Sequence, residues 1–449
     1  MEPFRYHLFV CNQQKPEGVP SCSASGSGKL LAALQRELGR RQLDREVQVT
    51  TSGCLGLCDG SPVMVTYPDG TWYSKVGPDD IPEIVDAHLH HGRPVTRLQR
   101  TDSAGMKAEI NEHRDNYLAM LKAKDEAGIL PDDLNEMIRA FMPSRAILTA
   151  LELDVFTIIG EGSSAQHVAH RIGASTHSTE SLLNALASLN LLTKSDGQFQ
   201  NTVLSARFLA ETSPDSARPA LMHTANLWHR WSGLTDCLLK GTGSEAERGA
   251  SDVKSFIAAM DRNARERASS VVKAVGADGI RSMLDLGGGS GAYSIAFAKA
   301  SPSLRSMVFD LPEVTKIAKE HIAKAGLSDR ISLCAGEMLS DPLGEGYDLV
   351  LLSAISHMFP PEQNQALYKR AHQALAPGGR IVIQDFILEP CKTRPRFAAL
   401  FALNMLVGTK AGSCYSEPEF RAWLESAGFQ NVQRIRLPGP SGLIVALRS

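Results

Sequence analysis

The segment Leu284-Asp285-Leu286-Gly287-Gly288-Gly289-Ser290-Gly291 runs from an apolar strand into a glycine loop, and a helical stretch follows it. Residues without side chains let the backbone approach a ligand closely. Asp310 ends the next strand about 20 positions later, where one carboxylate can accept from both hydroxyls of a ribose. Strand, glycines and acid together ask for more than a tight turn. Working outward, further strand candidates fall at 282–286, 304–309, 331–334, 347–352, 380–385, 431–436 and 442–447, with helical segments between them. That alternation predicts a Rossmann-like α/β domain with a mostly parallel, seven-stranded sheet that binds ligands at the strands' C-terminal ends. The loop alone leaves the chemistry open. Gly287-x-Gly289-x-x-Ala292 also satisfies the dinucleotide fingerprint of an NAD-dependent dehydrogenase.

Upstream the pattern changes. Residues 129–280 are almost all helical in pattern, and 163–173, 178–190 and 191–199 read as helix, helix and a short β-wing. Residues 99–128 are polar and helix-forming, with Met106, Ile110, Tyr117 and Leu121 as a sparse apolar stripe. Residues 1–98 read as a small α/β unit: a strand at 7–10, a Gly/Ser-rich loop, a helix at 29–39, then strands at 47–51, 63–67 and 71–76. Pro68-Asp69-Gly70 makes a hairpin turn between the last two, and 82–91 closes the unit as a helix. The expected multidomain organisation is 1–98, a connecting helix at 99–128, a helical winged-helix domain at 129–265 and the α/β domain at 266–449.

Composition narrows the function classes. The chain has 449 residues, 43% of them hydrophobic, with 47 Lys and Arg against 49 Asp and Glu. That length suits several domains with real cores. The near-neutral balance argues against a non-specific nucleic-acid or membrane-surface binder. No apolar run approaches the roughly 20 residues of a membrane span, and the longest, 397–407, reads as a buried helix. Met1-Glu2-Pro3 lacks the basic-then-apolar layout of a secretory signal, so the expected location is cytoplasmic.

The eight cysteines are unevenly placed. Cys11, Cys22, Cys54 and Cys58 crowd the first 58 residues, whereas Cys237, Cys334, Cys391 and Cys414 are scattered. In a reducing compartment, clustered thiols point to a metal site. Four thiolates complete either a zinc or an iron–sulfur site, and a Cys-x3-Cys pair leans away from the Cys-x2-Cys turns of zinc ribbons. His7-Leu8-Phe9-Val10-Cys11, Ser52-Gly53-Cys54-Leu55-Gly56-Leu57-Cys58 and Val65-Thr66-Tyr67-Pro68-Asp69-Gly70-Thr71-Trp72-Tyr73 closely resemble the thioredoxin-like [2Fe-2S] ferredoxins. The resemblance covers 5–98 and implies a thioredoxin-like fold with Cys11, Cys22, Cys54 and Cys58 holding a [2Fe-2S] cluster. It also raises a possible electron-transfer partner. Gly53 and Gly56 suit turns that bring backbone N–H groups to the sulfurs. His88, His90 and His91 read as a solvated helix end.

Further residues decide between the readings of the glycine loop. Asp285 opens an Asp-x-Gly-x-Gly-x-Gly pattern. Phe309-Asp310-Leu311-Pro312, Ala335-Gly336-Glu337-Met338, Leu351-Leu352-Ser353-Ala354-Ile355-Ser356-His357 and Pro377-Gly378-Gly379-Arg380 follow in order. Together these resemble the S-adenosylmethionine-dependent O-methyltransferases of the hydroxyindole, caffeate and bacterial polyketide type. The resemblance extends back through 140–280, whose winged-helix unit is similar to that family's dimerisation domain, and so implies a homodimer.

By position, the resemblance puts Asp285, Gly287, Gly289 and Gly291 along the methionine and ribose end of S-adenosyl-L-methionine. Asp310 would hold the ribose, Leu311 would pack on it, and Glu337 and Met338 would flank the adenine. Ser353 falls where many members carry Lys. His357 matches the family's catalytic histidine, while Met260 and Met405 match positions that touch substrate. Cys414 stands in place of a carboxylate that steadies the histidine in many relatives. The resulting expectation is a less well controlled His357. The expected acceptor is a small-molecule hydroxyl; a weakened base is also compatible with a thiol, sulfide or other soft nucleophile, which needs a base far less, and that is the alternative. Two other readings use the cluster: a redox-assisted, non-methylating reaction, or a redox-sensing winged-helix regulator. Against the regulator, the helix at 178–190 carries no Lys or Arg for phosphate contacts.

Overall fold

A computed structural model describes residues 3–15, 19–241, 243 and 250–449. The Met1-Glu2 opening and residues 16–18 of the Gly/Ser-rich loop lie outside them. The chain forms two compact units, Met1–Phe141 and Met142–Ser449.

The first unit is built on a five-stranded sheet in the order β2-β1-β3-β4-β5. Strand β1 (Tyr6–Cys11) runs parallel to β2 (Val47–Ser52) and antiparallel to β3 (Val63–Tyr67). The β1–β2 register pairs Cys11 with Ser52, so the first cysteine and the loop carrying the last two leave the sheet at one end. Strand β4 (Thr71–Ser74) returns from β3 through the Pro68-Asp69-Gly70 turn. Helix Ser27–Arg40 packs by burying Leu30, Leu34 and Leu38, one residue per turn. They meet Leu8, Val10, Met64 and Tyr73 in the core.

Three features of this unit depart from expectation. The short edge strand β5 (Gln99–Arg100) pairs with β4, inside the stretch read as connector; two residues are too few to show a period. His88 is fully buried, with Nδ1 2.8 Å from Tyr73 Oη and Nε2 2.5 Å from Asp69 Oδ2, so the solvated reading holds only for His90 and His91. In helix Ser103–Glu126, Met106 is buried, but Tyr117 and Leu121 are exposed.

The second unit begins with helices around a small sheet, β6 (Ser163–Ser164), β7 (Leu192–Ser195) and β8 (Gln198–Asn201), in the order β6-β8-β7. Ser164 and Ser175 cap helices Ala165–Ile172 and Thr176–Ser188 by accepting from His167 N–H and Ser178 N–H. Ser163 and Ser164, expected inside a helix, pair as β6 because Ser164 is that cap.

The rest is a seven-stranded sheet of β9 (Ser282–Leu286), β10 (Arg305–Asp310), β11 (Ile331–Ala335), β12 (Tyr347–Ser353), β13 (Leu375–Asp385), β14 (Phe429–Arg436) and β15 (Gly442–Arg448). Its order is β11-β10-β9-β12-β13-β15-β14, parallel through β13, with β15 antiparallel to both neighbours. Leu349 to Leu352 are wholly buried, as expected of a strand covered on both faces. The strand order reverses at β9, which opens a crevice beyond the C-terminal ends of β9, β10 and β12. Helix Arg396–Gly408, read as buried, is only partly so: Ala398, Met405 and Val407 are inside, while Phe397 and Leu400 are each 47% exposed. Among the described residues no helix is long and apolar enough to cross a membrane.

Candidate active site and thiolate site

Strand β9 ends under the glycine loop. Gly287, Gly289 and Gly291 have φ of +72°, +57° and +77°, which side chains rarely tolerate. A Cβ on Gly287 would lie 2.4 Å from Ile355 Cδ1 and 3.2 Å from Met338 Cε, whereas Gly289 faces open space. Asp310, at the end of β10, accepts from the N–H groups of Gly289 and Leu311, both at 2.8 Å. Burial raises its carboxyl pKa. Asp285 lies beneath the loop, fully buried. Its Oδ2 accepts from Ser294 Oγ at 2.7 Å and its Oδ1 has no partner. Desolvation pushes this carboxyl up to about 6. Leu311 stands exposed at the lip, and Glu337 and Met338 follow β11. Ser353 Oγ donates to Gln384 Oε1 at 2.6 Å instead of facing outward. Open glycine backbone, the Asp310 carboxylate and the orphaned Asp285 oxygen fit a ligand rich in N–H and O–H donors, as S-adenosylmethionine is.

His357 sits in the single turn Ser356–Met358 that follows β12, 6% exposed. Its Nδ1 is 2.6 Å from Asp385 Oδ1, and its backbone N–H donates to Asp385 Oδ2 at 3.2 Å. Asp385 ends β13 and also accepts from Phe386 N–H at 2.7 Å. With Nδ1–H given to the carboxylate, Nε2 keeps its lone pair, and no hydrogen bond to it occurs among the described residues. The imidazole is walled by Phe401 and Phe386, with ring centroids at 5.0 and 5.9 Å.

Asp385 corrects the expectation that this histidine lacks a carboxylate. The partner comes from the neighbouring strand's end, not from position 414. The signal was available: the acid terminates a strand at the ligand-binding edge, as Asp310 does. Cys414 is buried beside Phe386, Leu388 and Ala398, and burial pushes its thiol up to about 12, so it packs. Met405 is buried on helix Arg396–Gly408, which also delivers Phe401. Met260 is half-buried on helix Ala250–Val275 and has no hydrogen bond or ring contact with His357.

The thiolate site lies within the first unit. Cys11, Cys22 and Cys58 are buried and Cys54 is exposed. The thiols form a row: Cys54 hydrogen-bonds to Cys11, Cys11 to Cys22, and Cys54 Sγ lies 3.5 Å from Cys58 Sγ. Cys54 is pushed up to about 12, first by its bond to Cys11 and then by burial. Cys22 is lowered, first by the bond from Cys11. Backbone groups of Gln13 and Leu55 bond to Cys11, that of Val63 to Cys22 and that of Gly56 to Cys54. Lys15 Nζ is 3.0 Å from Cys58 Sγ. Four adjacent sulfurs surrounded by N–H groups and an ammonium fit an anionic thiolate-ligated cluster. Gly56 has a second duty. With φ +86°, a Cβ there would lie 2.9 Å from Ile110 Cγ1 and 3.1 Å from its Cα, so helix Ser103–Glu126 packs directly on this loop.

Comparison with known proteins agrees with both halves. A family model for the O-methyltransferase domain matches residues 226–430, one for the O-methyltransferase dimerisation domain matches 135–211, and one for the thioredoxin-like [2Fe-2S] ferredoxin matches 4–89. The 3-hydroxy-5-methyl-1-naphthoate 3-O-methyltransferase of Streptomyces sahachiroi is 32% identical over 335 residues, covering 71% of this chain and 96% of its own length. The human acetylserotonin O-methyltransferase is 30% identical, covering 67% and 92%. The crystal structure of human N-acetylserotonin methyltransferase in complex with S-adenosylmethionine superposes with a TM-score of 0.63 at 29% identity, over 70% of this chain and 96% of that one. The dinucleotide reading of the glycine loop is thereby set aside. This chain belongs to the S-adenosylmethionine-dependent O-methyltransferase family and carries an N-terminal thioredoxin-like ferredoxin domain.

Proposed function

We propose that the chain methylates a hydroxyl of a small aromatic acceptor, with His357 as general base and Asp385 as the residue that positions it. The observation that carries this reading is the 2.6 Å contact between His357 Nδ1 and Asp385 Oδ1. It fixes the tautomer, leaves Nε2 to take a proton, and stabilises the imidazolium that results. S-adenosylmethionine, when bound, supplies a methyl group already activated by its sulfonium. The protein's task is then to align a nucleophile and remove its proton, and alignment alone is worth about 7–11 kcal/mol. A phenol of pKa near 10 needs that base, whereas a thiol near 8.5 needs it far less. A base held by a carboxylate favours the hydroxyl acceptor over the sulfur one. Phe386 and Phe401 suit a flat aromatic ring.

In this reading Asp285, Gly287, Gly289, Gly291, Asp310, Leu311, Glu337 and Met338 form the cofactor's bed. Cys11, Cys22, Cys54 and Cys58 hold the [2Fe-2S] cluster, which would supply one-electron exchange with a partner. Cys54 is its accessible edge, beside a cleft of about 1190 Å³ lined by Leu55, Trp72 and Ile110. The chain works as a homodimer, a reading supported by the match to the dimerisation domain. The test is S-adenosylhomocysteine release with a phenol. His357→Ala should lower it by about 10²–10⁴. A retained rate would remove the base.

A further inference from the structure

Next to the histidine lies a group of hydrogen-bond donors that lacks an acceptor. Gln384 is 1% exposed, and its amide oxygen accepts from Ser353 Oγ at 2.6 Å and from Tyr293 Oη at 3.4 Å. Its amide nitrogen, Nε2, is buried and has no partner. A buried, unpaired N–H donor is unfavourable unless a ligand supplies the acceptor.

Arg267, from helix Ala250–Val275, reaches the same place. Its guanidinium carbon stands 5.6 Å from the Phe386 ring, and its charge acts on Tyr293. Phe386 in turn flanks His357. Elsewhere on this helix Arg262 pairs with Glu266 and Arg265 with Asp261. Arg267 has no ion pair or hydrogen bond among the described residues. Asp385, the carboxylate at the adjoining strand end, is engaged by His357. A guanidinium without an ion pair among the described residues and an orphaned amide N–H therefore lie in one neighbourhood, joined through Tyr293, which hydrogen-bonds to Gln384 and feels the charge of Arg267, and through Phe386, which stands beside His357.

We infer that Arg267 and Gln384 bind the carboxylate of a small molecule held against His357. The guanidinium offers a planar fork that matches a carboxylate, and the amide adds a further donor. Two molecules could bring that group: the amino-acid end of S-adenosylmethionine, or an acceptor that is a hydroxyaryl carboxylate. The inference rests on the methyltransferase reading above and adds a requirement for an acid at this spot.

Calorimetry on the full chain distinguishes the sources. The first pair of probes is S-adenosylhomocysteine and 5′-deoxy-5′-methylthioadenosine, which lacks the amino-acid end. The second pair, added to S-adenosylhomocysteine-loaded protein, is 3-hydroxy-1-naphthoate and 2-naphthol. Arg267→Met should weaken the carboxylated member of one pair by at least about tenfold and its carboxyl-free counterpart by less than about twofold. Arg267→Lys should recover part of the loss, and Gln384→Met should reproduce it in smaller measure. Selective loss in the first pair assigns the site to the cofactor, and in the second to the acceptor. Equal loss within each pair, or no selective loss in either, overturns the inference. If the wild-type protein binds no S-adenosylhomocysteine, the methyltransferase reading itself fails, whatever Arg267 does.

Discussion

The loops that follow β2 and β9 occupy the same place relative to their strands but are built in opposite ways. At Gly287–Gly291 the function lies in the backbone: positive φ and missing side chains shape a bed, and the carboxylate that accepts from the loop's Gly289 N–H, Asp310, comes from the next strand. At 53–58 the function lies in the side chains, two thiols that join Cys11 and Cys22. There Gly56 is demanded as much by the helix above it as by the sulfur beside it. A glycine among ligands thus has two meanings, open approach in one loop and close helix packing in the other.

Both loops announce themselves in the sequence because their spacing is local. The strands, the hairpin at Pro68-Asp69-Gly70 and the acid Asp310 that ends β10 were legible for the same reason. The partners that complete each site were not. Asp385 lies 28 residues from His357 and is brought to it by the pairing of β12 with β13. Ile110 reaches Gly56 only because a connecting helix folds back onto the loop. His88 was misread because a polar residue near a helix end gives no local sign of the buried Tyr73 and Asp69 that satisfy it.

The comparison can be broken by mutating each loop and reading the other site. The largest effect should come from Cys54→Ser with Cys58→Ser: complete loss of the cluster's visible absorption, with S-adenosylhomocysteine affinity unchanged within about twofold, as for independent sites. Surviving absorption would refute the ligand set. Next, Gly287→Ala places a Cβ 2.4 Å from Ile355 Cδ1 at a φ of +72°. Calorimetry should show S-adenosylhomocysteine binding weakened by about tenfold or more, with about 1–3 kcal/mol of stability lost through strain. Gly56→Ala meets Ile110 and should cost a similar about 1–3 kcal/mol. That loss should appear in the thermal unfolding of the first unit, with cofactor binding untouched.

A pH-dependent effect concerns the acid beneath the backbone loop. Asp285 titrates at about 6 when folded because burial disfavours its charge. In the unfolded chain an aspartate titrates near about 4. Folding therefore favours the protonated form: the stabilisation is complete below about pH 4 and is lost as pH rises through about 6. Asp285→Asn should flatten that decline by up to about 3 kcal/mol in denaturant titrations across this window. An unchanged pH slope would mean that the carboxylate is solvated or paired.

The central claim is that a carboxylate-held histidine removes a proton from a hydroxyl acceptor. Its most direct test is the rate of S-adenosylhomocysteine release with a phenol and with the matching thiophenol, for wild type and Asp385→Asn across pH. The account predicts a fall of about 10² or more with the phenol and little change with the thiol. Equal losses with both acceptors, or no loss with the phenol, would contradict it.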